Sequence, residues 1–135
     1  MRATATFSIA NLKSVDVQEG APVSTALPLT VKTMEKTLSG EAEGRSRTVF
    51  AAAFDQEAGI GTYVAIESFA GSLNGLEGSF NFIHCASTRG RDRSNEFFLI
   101  VDGSGTGRLH GISGSGGIRI DEAGTHHLWF DYNLP

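Results

Sequence analysis

The stretch Glu67-Ser68-Phe69-Ala70-Gly71-Ser72-Leu73-Asn74-Gly75-Leu76-Glu77-Gly78-Ser79-Phe80-Asn81-Phe82 decides the fold. Asn74-Gly75 lies between two alternating segments, Tyr63 to Leu73 and Leu76 to Ser87, and Asn-Gly in that setting is the strongest short-range signal for a two-residue β-hairpin. The turn sets the register. It places Leu73 opposite Leu76, Gly71 opposite Gly78, Phe69 opposite Phe80, Glu67 opposite Phe82 and Ala65 opposite His84. Side chains alternate across a strand, so Tyr63, Glu67, Phe69, Phe80, Phe82 and His84 share one face. Ser68, Ser72, Ser79, Asn81 and Cys85 take the other. The aromatic face is the expected interior.

Outward from this hairpin the chain reads as strands. Ala3 to Ile9 alternates small or apolar residues with Thr4, Thr6 and Ser8, the period of two of a half-buried strand. Lys13 to Pro28 has no sustained period and contains Asp16, Gln18, Glu19, Gly20, Pro22 and Pro28, which predicts a long connection able to lid one end of a barrel. Leu29 to Leu38 is rich in β-branched residues, Ser39-Gly40 marks a turn, and a third strand is expected over about Thr48 to Asp55. Beyond the hairpin, Arg89 to Arg93 reads as a polar turn and Phe97 to Val101 as an apolar strand. Ile118 to Asp121 and Thr125 to Leu134 form a last pair around Glu122-Ala123-Gly124. About eight strands with regular turn punctuation predict an all-β fold, an antiparallel eight-stranded closed barrel, as one domain over residues 1–135. The pattern of Gly71 to Ser79 returns in Gly107 to Ser115, either as a reused turn or as a single helical turn, with His110 at a turn position in both cases.

Composition narrows the function classes. With 40% hydrophobic and 19% charged residues the chain is globular, and 17 Gly against 3 Pro suits tight turns and strand bends. A formal net charge of -4 argues against a partner such as nucleic acid, whose phosphates call for a basic excess. Cys85 is the single cysteine, the N-terminus resembles no secretion signal, and no apolar run reaches the roughly 20 residues of a membrane-spanning helix. These features predict a soluble cytoplasmic protein with no membrane partner.

Several segments together carry a resemblance. They are Lys36-Thr37-Leu38-Ser39-Gly40-Glu41-Ala42-Glu43-Gly44, Tyr63 to Glu67 leading to Gly71, Gly78-Ser79-Phe80 running to His84, Gly103 to Ile112, and the ending Phe130-Asp131-Tyr132-Asn133-Leu134. Their order and spacing resemble an uncharacterised bacterial family classed as a domain of unknown function. The resemblance implies an allene-oxide-cyclase-like, dirigent-like barrel of the calycin-like kind, in a group that steers reactive small molecules and commonly forms homo-oligomers. It implies no established activity. Family members usually carry a longer turn and a Trp-rich strand where this chain has Ser94 to Phe98, which implies a different lumen there. No stretch matches the catalytic residues of the plant cyclases.

The candidate chemistry lies on the hairpin. Glu67 and His84 are diagonal neighbours on an apolar face, where a buried carboxylate is costly unless paired. Beside the aromatic walls of Tyr63, Phe69, Phe80 and Phe82, this acid and imidazole suit proton transfer on a small apolar ligand. The same two groups suit a hydrogen bond that satisfies two polar side chains in a packed core, the commoner role of such a pair. Two functions follow. One is a binder of a small apolar molecule with cyclase or isomerase chemistry at Glu67 and His84; the other is a non-catalytic structural or interaction module with a solid barrel core.

Other signals are weaker. His126 and His127 point to opposite faces and no two histidines show ligand-pair spacing, so neither a metal nor another cofactor is expected. The nearest approach to a ligand set is Glu67, His84 and His127. Gly103 to Gly107 lacks the strand–helix context of a phosphate loop. Alternation separates Cys85 from His84, no Gly-x-Ser-x-Gly elbow occurs, and Arg89, Arg91 and Arg93 read as solvated surface. Trp129 and Tyr132, on opposite faces of the last strand, suit core or subunit-interface roles.

Overall fold

The computed structural model describes residues 1–17 and 20–135. Eight strands run in chain order: β1 (Arg2–Val15), β2 (Leu29–Gly40), β3 (Ala42–Asp55), β4 (Ile60–Leu73), β5 (Leu76–Arg89), β6 (Asp92–Ile100), β7 (Ser113–Ile120) and β8 (His126–Asn133). Each pairs antiparallel with the next, and β8 pairs with β1, closing the barrel. The ring is tight except between β6 and β7, which pair at Ile100↔Gly114 alone and leave the rest of both strands without a ladder partner on that side. The Asn74-Gly75 turn has φ of 49° and 84°, the left-handed values that a two-residue turn of this type needs, and the β4–β5 register matches the expected pairs from Leu73↔Leu76 to Ala65↔His84.

Several strands extend past their sequence-predicted ends. β3 begins at Ala42 rather than near Thr48, because β2 turns back through Glu41 alone and pairing resumes at once, with Leu38 opposite Gly44. β1 continues to Val15 and β7 begins at Ser113. The Lys13–Pro28 connection is therefore shorter than its composition suggests; Gln18 and Glu19 lie outside the described residues. The Gly107–Ser115 echo takes a different structure from its twin. Gly107–Leu109 forms one 3-10 turn, His110 is exposed at its end, and Leu109 and Ile112 are buried against the barrel.

Two bulges change which face a strand shows to the interior. In β1 the register slips between Ala10 and Lys13, with Asn11 at φ 55°. In β6 it slips opposite Cys85 and Ser87, with Asn95 at φ 52°. An extra residue in one strand reverses its inward and outward alternation from that point on. Arg93 thereby faces inward, which corrects its sequence reading as solvated surface: its side chain is 21% exposed.

The barrel has two unlike halves. Near the β4–β5 turn the interior is filled: Phe69, Phe80, Phe82, Phe130, Leu73, Tyr132 and Ile100 are each at most 2% exposed. Phe130 meets Phe80 and Phe82 edge to face, with centroids 5.2 and 5.1 Å apart, and Phe82 stacks on Phe98 at 5.2 Å. Each such side chain contributes about 1.5–3 kcal/mol by burial. Tyr132 accepts a hydrogen bond from Asn74 Nδ2 at 2.8 Å, tying the hairpin turn to the last strand. At the opposite end, beyond His84, the packing stops.

Candidate functional site

Between the aromatic core and the open end lies a layer of polar side chains. Its centre is Glu67, 1% exposed and inward-facing on β4. Its Oε2 meets Lys36 Nζ at 2.6 Å and His84 Nε2 at 2.5 Å, while its Oε1 accepts a hydrogen bond from Ser46 Oγ at 2.6 Å. Lys36 comes from β2, on the same inward face as Met34 and Leu38, and its ammonium rests 4.8 Å from the centroid of the Phe7 ring. That contact adds a cation–π attraction in a place with little water.

Burial pushes the Glu67 carboxyl up, but the His84 hydrogen bond and the Lys36 charge overcome it and hold the group at about 2. Glu67 is therefore a carboxylate that only accepts. His84 is lowered as well, but here by burial, which takes it below 6.5 with Lys36 and Arg93 adding repulsion, against the pull of Glu67. At neutral pH the imidazole is uncharged, and its Nε2 carries the proton it donates to Glu67. Its Nδ1 is then an acceptor, and it lies 2.9 Å from Tyr63 Oη. Tyr63 donates there and accepts from Arg93 Nη2 at 3.1 Å. Burial raises the Tyr63 phenol, against the lowering by Arg93, so the resting group is protonated.

The result is one hydrogen-bonded line from Lys36 through Glu67 and His84 to Tyr63, with Arg93 beyond it. Tyr63 stands on the wall of a cavity of about 850 Å³ that opens at the β3–β4 tip. Phe50, Ala52, Phe54 and Pro28 supply apolar wall, and Lys32 and Asp55 charged positions. Phe50 stacks on Tyr63, with centroids 4.9 Å apart and planes 15° apart. Ala26 and Pro28 of the long connection line this space, so that connection borders one end of the barrel.

A family model described as a protein of unknown function (DUF3224) matches residues 3–132. The chain belongs to the DUF3224 family. No curated protein matches it. Among solved structures, a DUF3224 family protein of unknown function from Shewanella oneidensis MR-1 is similar over 100% of this chain and 98% of that one, with 29% identity and a TM-score of 0.80.

In this DUF3224 chain the sequence-predicted pair, Glu67 and His84, does meet. Of the four aromatic residues expected at a ligand, Tyr63 lines the cavity; Phe69, Phe80 and Phe82 pack in the filled half beneath the polar layer. Phe82 and Phe98 lie face to face with the His84 ring, each with its centroid 5.9 Å away, and so fix its plane. His127 is remote from the pair, bonded to Asp121 through Nε2 at 2.7 Å. Among the described residues no three of His, Cys, Asp and Glu gather as metal ligands, and no helix is long and apolar enough to cross a membrane.

Sequence reasoning missed Lys36, Ser46, Thr48 and Arg93. For Lys36 the signal was present, a lysine in step with Met34 and Leu38 on an apolar face. Thr48 lies opposite Glu67 and is 1% exposed; its Oγ1 is, among the described residues, the buried side-chain polar atom left without a hydrogen-bond partner. Such an orphan costs about 1–3 kcal/mol.

Proposed function

We propose that the open half of the barrel binds a small apolar molecule and that Tyr63 exchanges a proton with it, in an isomerase or cyclase type of reaction. The supporting observation is that the buried polar line reaches the cavity wall at Tyr63, whose side chain lines that space, before passing on to Arg93. The arrangement follows the logic of a carboxylate–imidazole–hydroxyl triad. Tyr63 Oη takes a proton from an acidic C–H or O–H of the ligand while its own proton passes to His84 Nδ1. Glu67 steadies the imidazolium so formed, and Arg93 steadies the phenolic oxygen if the internal transfer runs ahead. Return of the proton to another atom of the ligand restores the resting state, and the net change is an isomerisation. Lys36 and Ser46 keep Glu67 ionised and aimed; they position, and touch no ligand.

This reading extends the sequence-stated pair by one residue, since Glu67 and His84 reach the cavity through Tyr63. The test is proton exchange in deuterium oxide. A panel of small cyclic and aromatic ketones is incubated with the protein, and deuterium at the α-carbon is followed by proton NMR. Exchange with at least one ketone, lost in Tyr63→Phe and in His84→Gln, supports the mechanism. Exchange that persists unchanged in Tyr63→Phe removes Tyr63 from the chemistry.

A non-catalytic structural role is the second reading, favoured by one observation: Glu67 has three partners and His84 two, as a satisfied core pair would. Failure of every ketone to exchange, in a protein that still binds apolar probes, decides for a binding module. Failure to bind any probe decides for a structural one.

A further inference from the structure

The outer surface of β3 to β6 carries an organised feature unrelated to the cavity. The register sets Val49, Ile66, Ile83 and Leu99 side by side in one row across the four strands, with Val64 and Phe97 flanking Cys85 in the next. Five of these side chains, Val49, Val64, Ile66, Phe97 and Leu99, are between 42% and 51% exposed. No charged residue faces outward on β4 between Thr62 and Ser72 or on β5 between Ser79 and Ser87. Charges of both signs begin only at the rim, with Arg47, Glu77 and Arg89.

An antiparallel sheet normally keeps its solvent face polar, alternating with the apolar face inside. Here β4 and β5 are apolar on the inside apart from the Glu67–His84 layer, and carry Val64, Ile66 and Ile83 on the outside. The five exposed side chains present on the order of 400 Å² of apolar surface, as large as the largest patch a typical monomer keeps and about half of what one partner buries in a standard interface. The serines, threonine and alanine around them are small enough to let a second sheet approach to the usual ~10 Å face-to-face spacing.

We propose that this face joins two copies of the chain, sheet against sheet, about a two-fold axis near Ile66 and Cys85. A second copy is the occupant that the patch itself argues for. Its surface has no charge to be desolvated at the centre, it is wide enough to pair with itself, and under a two-fold the same rows meet their own equivalents. The area beyond the apolar core comes from the small polar residues, so the rim stays wet as interface rims do.

The test is sedimentation-velocity ultracentrifugation of the whole chain across a hundredfold range of concentration. The native protein is expected to sediment as an assembly of at least twice 14.3 kDa. Ile66→Asp, which places a carboxylate at the centre of the exposed row, is expected to sediment as the monomer with an unchanged circular-dichroism spectrum. Should Ile66→Asp fail to fold, Val64→Ser combined with Leu99→Ser, two polar changes on the same face, serves in its place. Alkylation of Cys85 is expected to be at least tenfold faster in the dissociated variant. A native protein that is monomeric throughout, a variant that folds and remains assembled, or a native monomer that instead co-sediments with phosphatidylcholine vesicles would each overturn the proposal.

Discussion

Replacing Lys36 by Met tests the electrostatics of the polar layer. In the native fold the Glu67 carboxyl sits at about 2, against an ordinary value of 4.5. The difference, 4.5 − 2 = 2.5 pH units, corresponds to about 3 kcal/mol of stability at neutral pH. Because the folded value is the lower one, that contribution is present above pH 4.5 and is lost as the pH falls from 4.5 towards 2. His84 adds in the same direction: burial lowers it from 6.5, so the fold resists protonating it and loses stability as the pH drops below 6.5. Without the Lys36 charge, the Glu67 carboxyl moves up against a smaller opposing pull, that of His84, while His84 accepts a proton more readily. At pH 7 the variant keeps a buried carboxylate short of one partner, a loss of about 3–5 kcal/mol. Near pH 3 the native protein has surrendered much of its own advantage, so the gap between the two narrows to about half. Urea unfolding followed by the fluorescence of Trp129, the single tryptophan, at pH 7, 5, 4 and 3 measures it. A gap that stays constant over that range, or that is absent at pH 7, would refute the charge assignment.

Further expectations concern packing and backbone. Thr48→Val replaces an unpartnered buried hydroxyl by a methyl, so thermal unfolding should show unchanged or slightly raised stability; a loss above about 1 kcal/mol would mean the hydroxyl is bonded in solution. Phe130→Ala empties the centre of the aromatic cluster and should cost about 3–5 kcal/mol in urea unfolding, whereas a cost below 1 kcal/mol would contradict a tightly filled half-barrel. Gly71→Ala would put a Cβ 2.0 Å from the Glu43 carbonyl oxygen and 2.7 Å from Gly44 Cα, backbone atoms that have no easy way to yield. It should lower stability by about 1–3 kcal/mol, and a neutral result would show that β3 and β4 lie farther apart there than described.

How much of this was legible beforehand depended on whether a local signal reported on distant pairing. Asn74-Gly75 did, because a two-residue turn ties every residue of β4 to its partner on β5; the inward placement of Glu67, Phe69, Phe80, Phe82 and His84 followed from it. Alternation, β-branched content and turn residues marked the other strands without fixing their register. Arg93 was hidden because its face depends on a bulge at Asn95, and a lone Asn in a polar segment does not announce an extra residue against β5. Ser46 was lost with the late start assigned to β3. Lys36 stood in plain alternation between Met34 and Leu38, yet a lysine among apolar neighbours is usually solvated, and only its β4 partner shows otherwise. The open half of the barrel had no sequence signature, since a cavity is a sum of small deficits such as Ala52 and Gly61 spread over several strands.

The central claim is that this open half takes up a small apolar molecule against Tyr63. The direct measurement is fluorescence titration with N-phenyl-1-naphthylamine, a neutral apolar probe, of the native protein and of Ala52→Leu and Ile66→Asp. Saturable binding by the native protein and by Ile66→Asp, lost when leucine fills the cavity at position 52 in a chain that remains folded, is the predicted result. Equal binding with and without the filled cavity, or none in any of the three, would contradict it.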